Sequence, residues 1–304
     1  MTDPFVRYLR AKVSIDDAAI NRTVFMAARA AVAPGTPAEP TRVLDLGAGT
    51  CSMLVRAVEW GLLRHADYVA VDADATVLAA AKAQLAEWAR SRGDECVTTG
   101  AEELAIRGKE RAVTVRFVHA SLDLFESSPH AFDLLIANAF FDLVDVDRAL
   151  ERIKPWLARG ARFWLTVNFD GETIFEPQFE PVELEQRLLG VYHRSMDERR
   201  VNGEAAGHSR TGRRLFSRLE RAGACVEAAG ASDWVVFPRQ GRYTAEEKSF
   251  VHHIIDTIEL ELRRHAEVEP RELSAWLGAR RAQTEAGELV YIAHQLDFFG
   301  SFGT

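Results

Sequence analysis

Residues 42–52 read R-V-L-D-L-G-A-G-T-C-S. A short apolar run ends at Asp45, a Gly-x-Gly turn follows at Gly47 and Gly49, and Thr50, Cys51 and Ser52 open a helical pattern. That order is strand, glycine turn, helix N-terminus. Glycines there let the backbone approach a ligand closely, and the turn leaves N–H groups free to receive one. A second apolar run, Tyr68-Val69-Ala70-Val71, ends in Asp72. An acid at the tip of the second strand is where a doubly wound sheet grips ribose hydroxyls. A chain carrying both features is constrained to an α/β fold with a parallel sheet at its centre.

The details choose between nucleotides. A dinucleotide fingerprint asks for G-x-G-x-x-G, and the third glycine position holds Ser52, which weakens that reading. D-x-G-x-G followed by a strand-end acid resembles motif I of the class I S-adenosylmethionine-dependent methyltransferases. Their fuller pattern has a third glycine where this chain has Cys51. The resemblance covers 40–168 well and 209–300 loosely. It implies a Rossmann-like, doubly wound seven-stranded sheet with S-adenosyl-L-methionine as cofactor. On the cofactor it places Asp45, Gly47, Ala48 and Gly49 of the first turn, and Asp72 and Ala73 of the second strand tip. After the third strand it places Ser121 and Leu122, with Asp123 an alternative partner for adenine. After the fourth it places Asn138 and Ala139. The plain alternative is a βαβ turn that binds nothing.

The remaining βαβ rhythm is read from periodicity. Strands are expected at 42–47, 68–72, 113–119, 132–137, 161–168, 225–237 and 288–298. Helices are expected at 52–64, 74–90, 146–157, 209–222, 244–265 and 270–285, the last two separated by Pro270. Residues 91–111 read as a helix extension and loop, and Arg159-Gly160 as a helix C-cap. Residues 5–33 carry helical periodicity, with Ser14, Asp16 and Asp17 as a helix start. This N-terminal segment either folds over the cofactor, as the resemblance implies, or is a surface helix.

The organisation expected is a helical segment at 1–40, a cofactor-binding core at 41–168, a cap insertion at 169–208, core again at 209–237, a helical cap insertion at 238–286, and a last core strand at 287–304. Both insertions follow strands at the carboxyl edge of the sheet, where open α/β sheets bind ligands. They are therefore expected to enclose a small-molecule acceptor, methylated on O, N or S.

Methyl transfer needs alignment and exclusion of water, and a base only if the acceptor must lose a proton. Candidates are His193 beside Tyr192 in the first insertion, Asp142 after the fourth strand, and His252 or His253 in the second insertion. Asp142 and Asp145 are equally candidates to cap the helix near Val146. Arg199-Arg200 and Arg213-Arg214 are either contacts for a substrate anion or a solvated face. Trp276 and Arg280, at i, i+4, read as a structural stack.

A net charge of -8 argues against general nucleic-acid binding. Three scattered cysteines fit neither a disulfide framework nor a zinc site, so no metal is expected. No run is apolar enough to span a membrane and no signal peptide is visible, so a cytoplasmic protein is expected. Abundant Arg and Ala with little Lys suggest a GC-rich bacterial genome. Oligomeric state has no signature in the sequence. Two rival functions share the motifs: another reaction of the same cofactor (aminocarboxypropyl transfer or cyclisation), and a non-catalytic cofactor-binding module.

Overall fold

A computed structural model describes residues 3–201 and 203–303. The chain opens with α1 (Pro4–Ala19) and α2 (Arg22–Ala31). Then come β1 (Thr41–Leu46), α3 (Ser52–Glu59), β2 (His65–Asp72) and α4 (Ala75–Ser91). A hairpin of β3 (Glu95–Gly100) and β4 (Glu103–Arg107) precedes β5 (Ala112–His119) and β6 (Phe132–Asn138). Next are α5 (Val146–Ile153), β7 (Leu157–Glu176) and α6 (Val182–Asp197). A small separate hairpin, β8 (Arg200–Val201) with β9 (Glu204–Ala205), leads to α7 (Thr211–Arg221), β10 (Ala224–Ala231) and β11 (Trp234–Val236). The chain ends with α8 (Ala245–Leu262), α9 (Pro270–Ala286) and β12 (Val290–Phe302).

The main sheet has ten strands in the order β10-β12-β7-β6-β1-β2-β5-β4-β3, with β11 also paired to β12. Its centre, β7-β6-β1-β2-β5, is parallel and reverses direction of travel at β1. This is the doubly wound, Rossmann-like arrangement, with the ligand crevice outside the carboxyl ends of β1 and β6. The seven expected strands are all present, the one expected at 225–237 divided into β10 and β11, and β3 and β4 are additional. Both faces of the parallel region are covered, as such a sheet requires. Leu54 and Leu85 of α3 and α4 pack on one face with Val43. Leu150 and Leu215 of α5 and α7 pack on the other with Leu44.

Several sequence expectations are corrected. Residues 95–107 are a hairpin rather than loop: β4 buries Leu104 and Ile106 against β5, while β3 is an almost wholly exposed edge whose polar face hides its strand character. α1 runs through Ser14 to Ala19, and the helix start lies instead at Asn21, whose side chain caps α2 by accepting from Thr23 and Val24 N–H. Gly160 (φ +71°) lies within β7 and caps no helix, since α5 ends at Ile153. β7 continues eight residues past the expected end at Asn168, so the first insertion begins later than 169. The strand expected at 225–237 breaks at Ser232-Asp233, where Asp233 Oδ1 takes Gln295 N–H (3.2 Å) and lies 2.8 Å from His294 Nδ1.

Val167 in β7 has φ +59°, an outlier for a β-branched residue. Its N–H donates to Asp297 Oδ1 at 2.7 Å, and Asp297 Oδ2 accepts Asn21 N–H at 2.8 Å. One buried carboxylate thus ties the α1–α2 junction to the irregularity in β7. α1, α6, α8 and α9 pack on one another as a helical layer. A Thr244–Glu247 capping box starts α8, and Pro270 at the first turn with Gly287 (φ +69°) at the end delimit α9.

Candidate active site

The site begins at the glycine turn. Gly47 and Gly49 have positive φ (65° and 55°), and a Cβ on Gly47 would sit 2.8 Å from the Phe140 ring. A side chain at Gly47 would crowd that ring, and the positive φ favours glycine at both positions. Asp72 closes the turn: Oδ2 accepts Gly49 N–H at 2.8 Å and Oδ1 accepts Asp74 N–H at 2.9 Å. A carboxylate has about four lone-pair positions, so acceptor capacity remains on both oxygens. Burial pushes the Asp72 pKa up, and these N–H bonds oppose it.

Asp45 stands behind the turn and is not part of the cavity wall. Its Oδ2 accepts the Tyr68 hydroxyl at 2.6 Å, and its buried Oδ1 has no partner among the described residues. Burial raises its pKa to about 7, against the pull of the Tyr68 bond. A raised folded-state pKa means that the stabilisation is complete below the ordinary carboxylate pKa near 4. It is lost as pH rises through 7. Relative to Asp45→Asn, wild type should therefore lose stability between pH 5 and 7, by up to about 1.4 kcal/mol per pH unit. Paired thermal melts across that range check this; parallel curves would contradict it.

At the carboxyl ends of β1, β2, β5 and β6 lies a cavity of about 620 Å³. Of the residues singled out from sequence, Gly47, Ala48, Gly49, Asp72 and Ala73 stand in its wall. So do Ser121, Leu122, Asn138, Ala139, Asp142 and Tyr192. α1, α6 and α8 all put residues into the opposite side. His193 stands one layer back: Nε2 is 3.0 Å from Oγ1 of Thr173, a wall residue, and its ring lies against Phe169. His252 is at the surface on Glu285, whereas His253 is in the wall, its ring stacked 3.9 Å from that of Tyr8. Burial lowers the pKa of both His193 and His253, favouring neutral imidazole. Asp142 Oδ1 is buried without a partner among the described residues, and burial raises its pKa. Asp145 caps α5, accepting Arg148 N–H at 2.9 Å.

Sequence reasoning missed the polar cluster under α1. Lys12 Nζ lies 2.5 Å from Asp16 Oδ2, Trp234 Nε1 donates to Asp16 Oδ1 at 2.9 Å, and Asn138 Nδ2 donates to Asp16 Oδ2 at 3.1 Å. Asn138 Oδ1 in turn accepts the Thr166 hydroxyl at 2.8 Å. Two charges in the first helix are thereby locked to the tip of β6. The available signal was the i, i+4 spacing of Lys12 and Asp16, which reads as an ordinary surface pair. Tyr8, Arg199, Tyr291 and Gln295 also line the cavity. Among the described residues, no group of three or more His, Cys, Asp or Glu is placed to hold a metal ion. No described helix is long and apolar enough to cross a membrane.

No protein-family model matches the chain, and no curated protein matches it in sequence. Solved structures resemble it in shape. One is a putative methyltransferase from Bacillus halodurans, with 13% identity, a TM-score of 0.49, and coverage of 93% of this chain and 98% of that one. Another is geranyl diphosphate C-methyltransferase from Streptomyces coelicolor A3(2), solved with Mg2+, geranyl diphosphate and S-adenosyl-L-homocysteine. It has 12% identity, a TM-score of 0.42, and coverage of 91% and 77%. A third is a phosphoethanolamine N-methyltransferase from Haemonchus contortus, with 12% identity and a TM-score of 0.41. The match covers 87% of this chain, which spans about half (49%) of that protein.

Proposed function

We propose that the protein is an S-adenosylmethionine-dependent methyltransferase acting on a small molecule. The observation that carries this reading is the joining of the glycine turn, Asp72 and the β6 tip in one cavity roofed by helices. The residues fit the cofactor. A side chain at Gly47 would crowd the Phe140 ring, Asp72 keeps lone pairs for ribose hydroxyls, and Ser121 and Leu122, in the same wall, would receive adenine. Asn138 and Ala139 would flank the methionine arm. The bound cofactor supplies a methyl group already activated on a sulfonium. What the chain contributes is alignment of the acceptor and a dry cavity. Aromatic faces suit a cationic sulfonium.

Where the acceptor must lose a proton, His253 and Asp142 are the candidate bases in the wall; burial favours the neutral form of each, which leaves the imidazole as the better proton acceptor. His193 would act only through Thr173, and Tyr192, pushed up to about 12 chiefly by burial, stays a donor. The test is calorimetry with S-adenosylhomocysteine and with nicotinamide dinucleotide, followed by product analysis. Tight binding of the first and S-adenosylhomocysteine as product are expected. Dinucleotide binding, or methylthioadenosine as product, would refute the reading.

A further inference from the structure

The cavity has a largely apolar wall, with Phe140, Phe169, Met196, Trp234 and Ile254 among its residues. Into it project three phenols from three separate elements: Tyr8 of α1, Tyr192 of α6 and Tyr291 of β12. Tyr291 is only 4% exposed. None of the three hydroxyls makes a hydrogen bond to a described residue, in contrast to Tyr68 and Tyr243, whose hydroxyls are bonded. The three lie close enough to press on one another's ionisation. These hydroxyls open onto the cavity with no protein partner among the described residues, so three around one space mark a place for a polar partner.

The charges decide its sign. Lys12 is neutralised by Asp16. Arg199 lines the same cavity and makes no ion pair with a described residue. Asp72 and Asp142 are the wall carboxylates without a salt bridge among the described residues; Asp72 is held at the glycine turn by the Gly49 and Asp74 N–H groups, and burial pushes the Asp142 pKa up against the pull of Arg199 and Lys12. A guanidinium has no such escape, because it does not lose its proton in proteins. The phenols, with pKa values raised chiefly by burial, remain protonated donors. The phenol donors and the Arg199 guanidinium thus face a mostly apolar space, with Asp142 Oδ1 and Gln295 Oε1 the wall acceptors that find no partner among the described residues.

We propose that the acceptor is an apolar molecule bearing an oxyanion, a carboxylate or its like, received by Arg199 and the hydroxyls of Tyr8, Tyr192 and Tyr291. This rests on the methyltransferase reading and adds the chemical class of the substrate to it. The cavity must hold cofactor and acceptor together, and pockets of about 300–1,000 Å³ typically enclose one drug-sized ligand. The body is therefore small.

The experiment is calorimetry on protein saturated with S-adenosylhomocysteine. The probes are 3-phenylpropionate, octanoate, 3-phenylpropanamide and 3-phenylpropylamine. At least one carboxylate is expected to bind about tenfold or more tighter than the amide, with the amine weakest, as charge-assisted bonds require. Arg199→Gln should bring the carboxylate down to the affinity of the amide, and Tyr291→Phe should weaken it severalfold. Both variants should keep wild-type affinity for S-adenosylhomocysteine and a wild-type melting temperature. Normal cofactor-product binding with equal affinity for acid and amide, a preference for the amine, or no binding of either acid would overturn the inference alone. Failure to bind S-adenosylhomocysteine would overturn the methyltransferase reading and this inference with it.

Discussion

Replacing Arg280 by alanine is expected to destabilise the protein by about 3–5 kcal/mol. Arg280 is fully buried in α9. Its Nε and Nη2 donate to Glu185 Oε1 of α6, and Nη1 donates to Pro177 O and to Gln283 Oε1, both at 2.7 Å. Trp276 Nε1 adds a further bond to the same Glu185 oxygen at 2.8 Å. Alanine would leave the Glu185 carboxylate buried without its counter-charge, which is far costlier than never having had the pair. The paired replacement Arg280→Met with Glu185→Leu should therefore recover much of the loss. Denaturant unfolding combined with hydrogen exchange at α6 and α9 tests both. A loss below about 1 kcal/mol, or a paired variant no better than the single one, would mean that packing of Trp276 and Phe175 alone holds these helices.

Asp72→Ala is expected to weaken S-adenosylhomocysteine binding by about 1.5–3 kcal/mol, roughly 10- to 150-fold. Two losses add there. The ribose hydroxyls lose a charged acceptor, and Gly49 N–H loses the bond that fixes the turn. Asp72→Asn separates them, since an amide oxygen can still accept from Gly49 but carries no charge. An intermediate affinity for Asn is expected, and unchanged affinity in the alanine variant would remove Asp72 from the site.

The parts of this molecule legible in the sequence are those where local pattern and global role coincide. The turn at Gly47 and Gly49 uses positive φ, which favours glycine, and Asp72 is read as the acid at the tip of the second apolar run. The Trp276–Arg280 stack was legible from helical spacing, although its burial on Glu185 was not. What escaped were features made by long-range neighbours. β3 and β4 look like loop because one face of the hairpin is solvated. Lys12 and Asp16 look like a surface pair until Trp234 and Asn138, far along the chain, close over them. His193 stands out in sequence as the histidine flanked by an aromatic and an arginine, yet orientation alone decides that Tyr192 reaches the cavity and His193 meets Thr173 instead.

The place of β12 has a consequence for how the chain is made. It comes last among the strands, yet it lies between β7 and β10 and also pairs with β11. During synthesis, β7 therefore emerges as a long apolar edge with one side unpaired, and it stays so while residues 177–289 are translated. An open edge of that kind invites pairing with other chains. Nothing local closes it, because its partner is more than a hundred residues away, and such distant pairing is slow. Tyr291 belongs to that same late strand, so the cavity wall is completed only as the gap in the sheet is filled. A nascent chain is thus exposed to misassembly until the step that also closes its cavity.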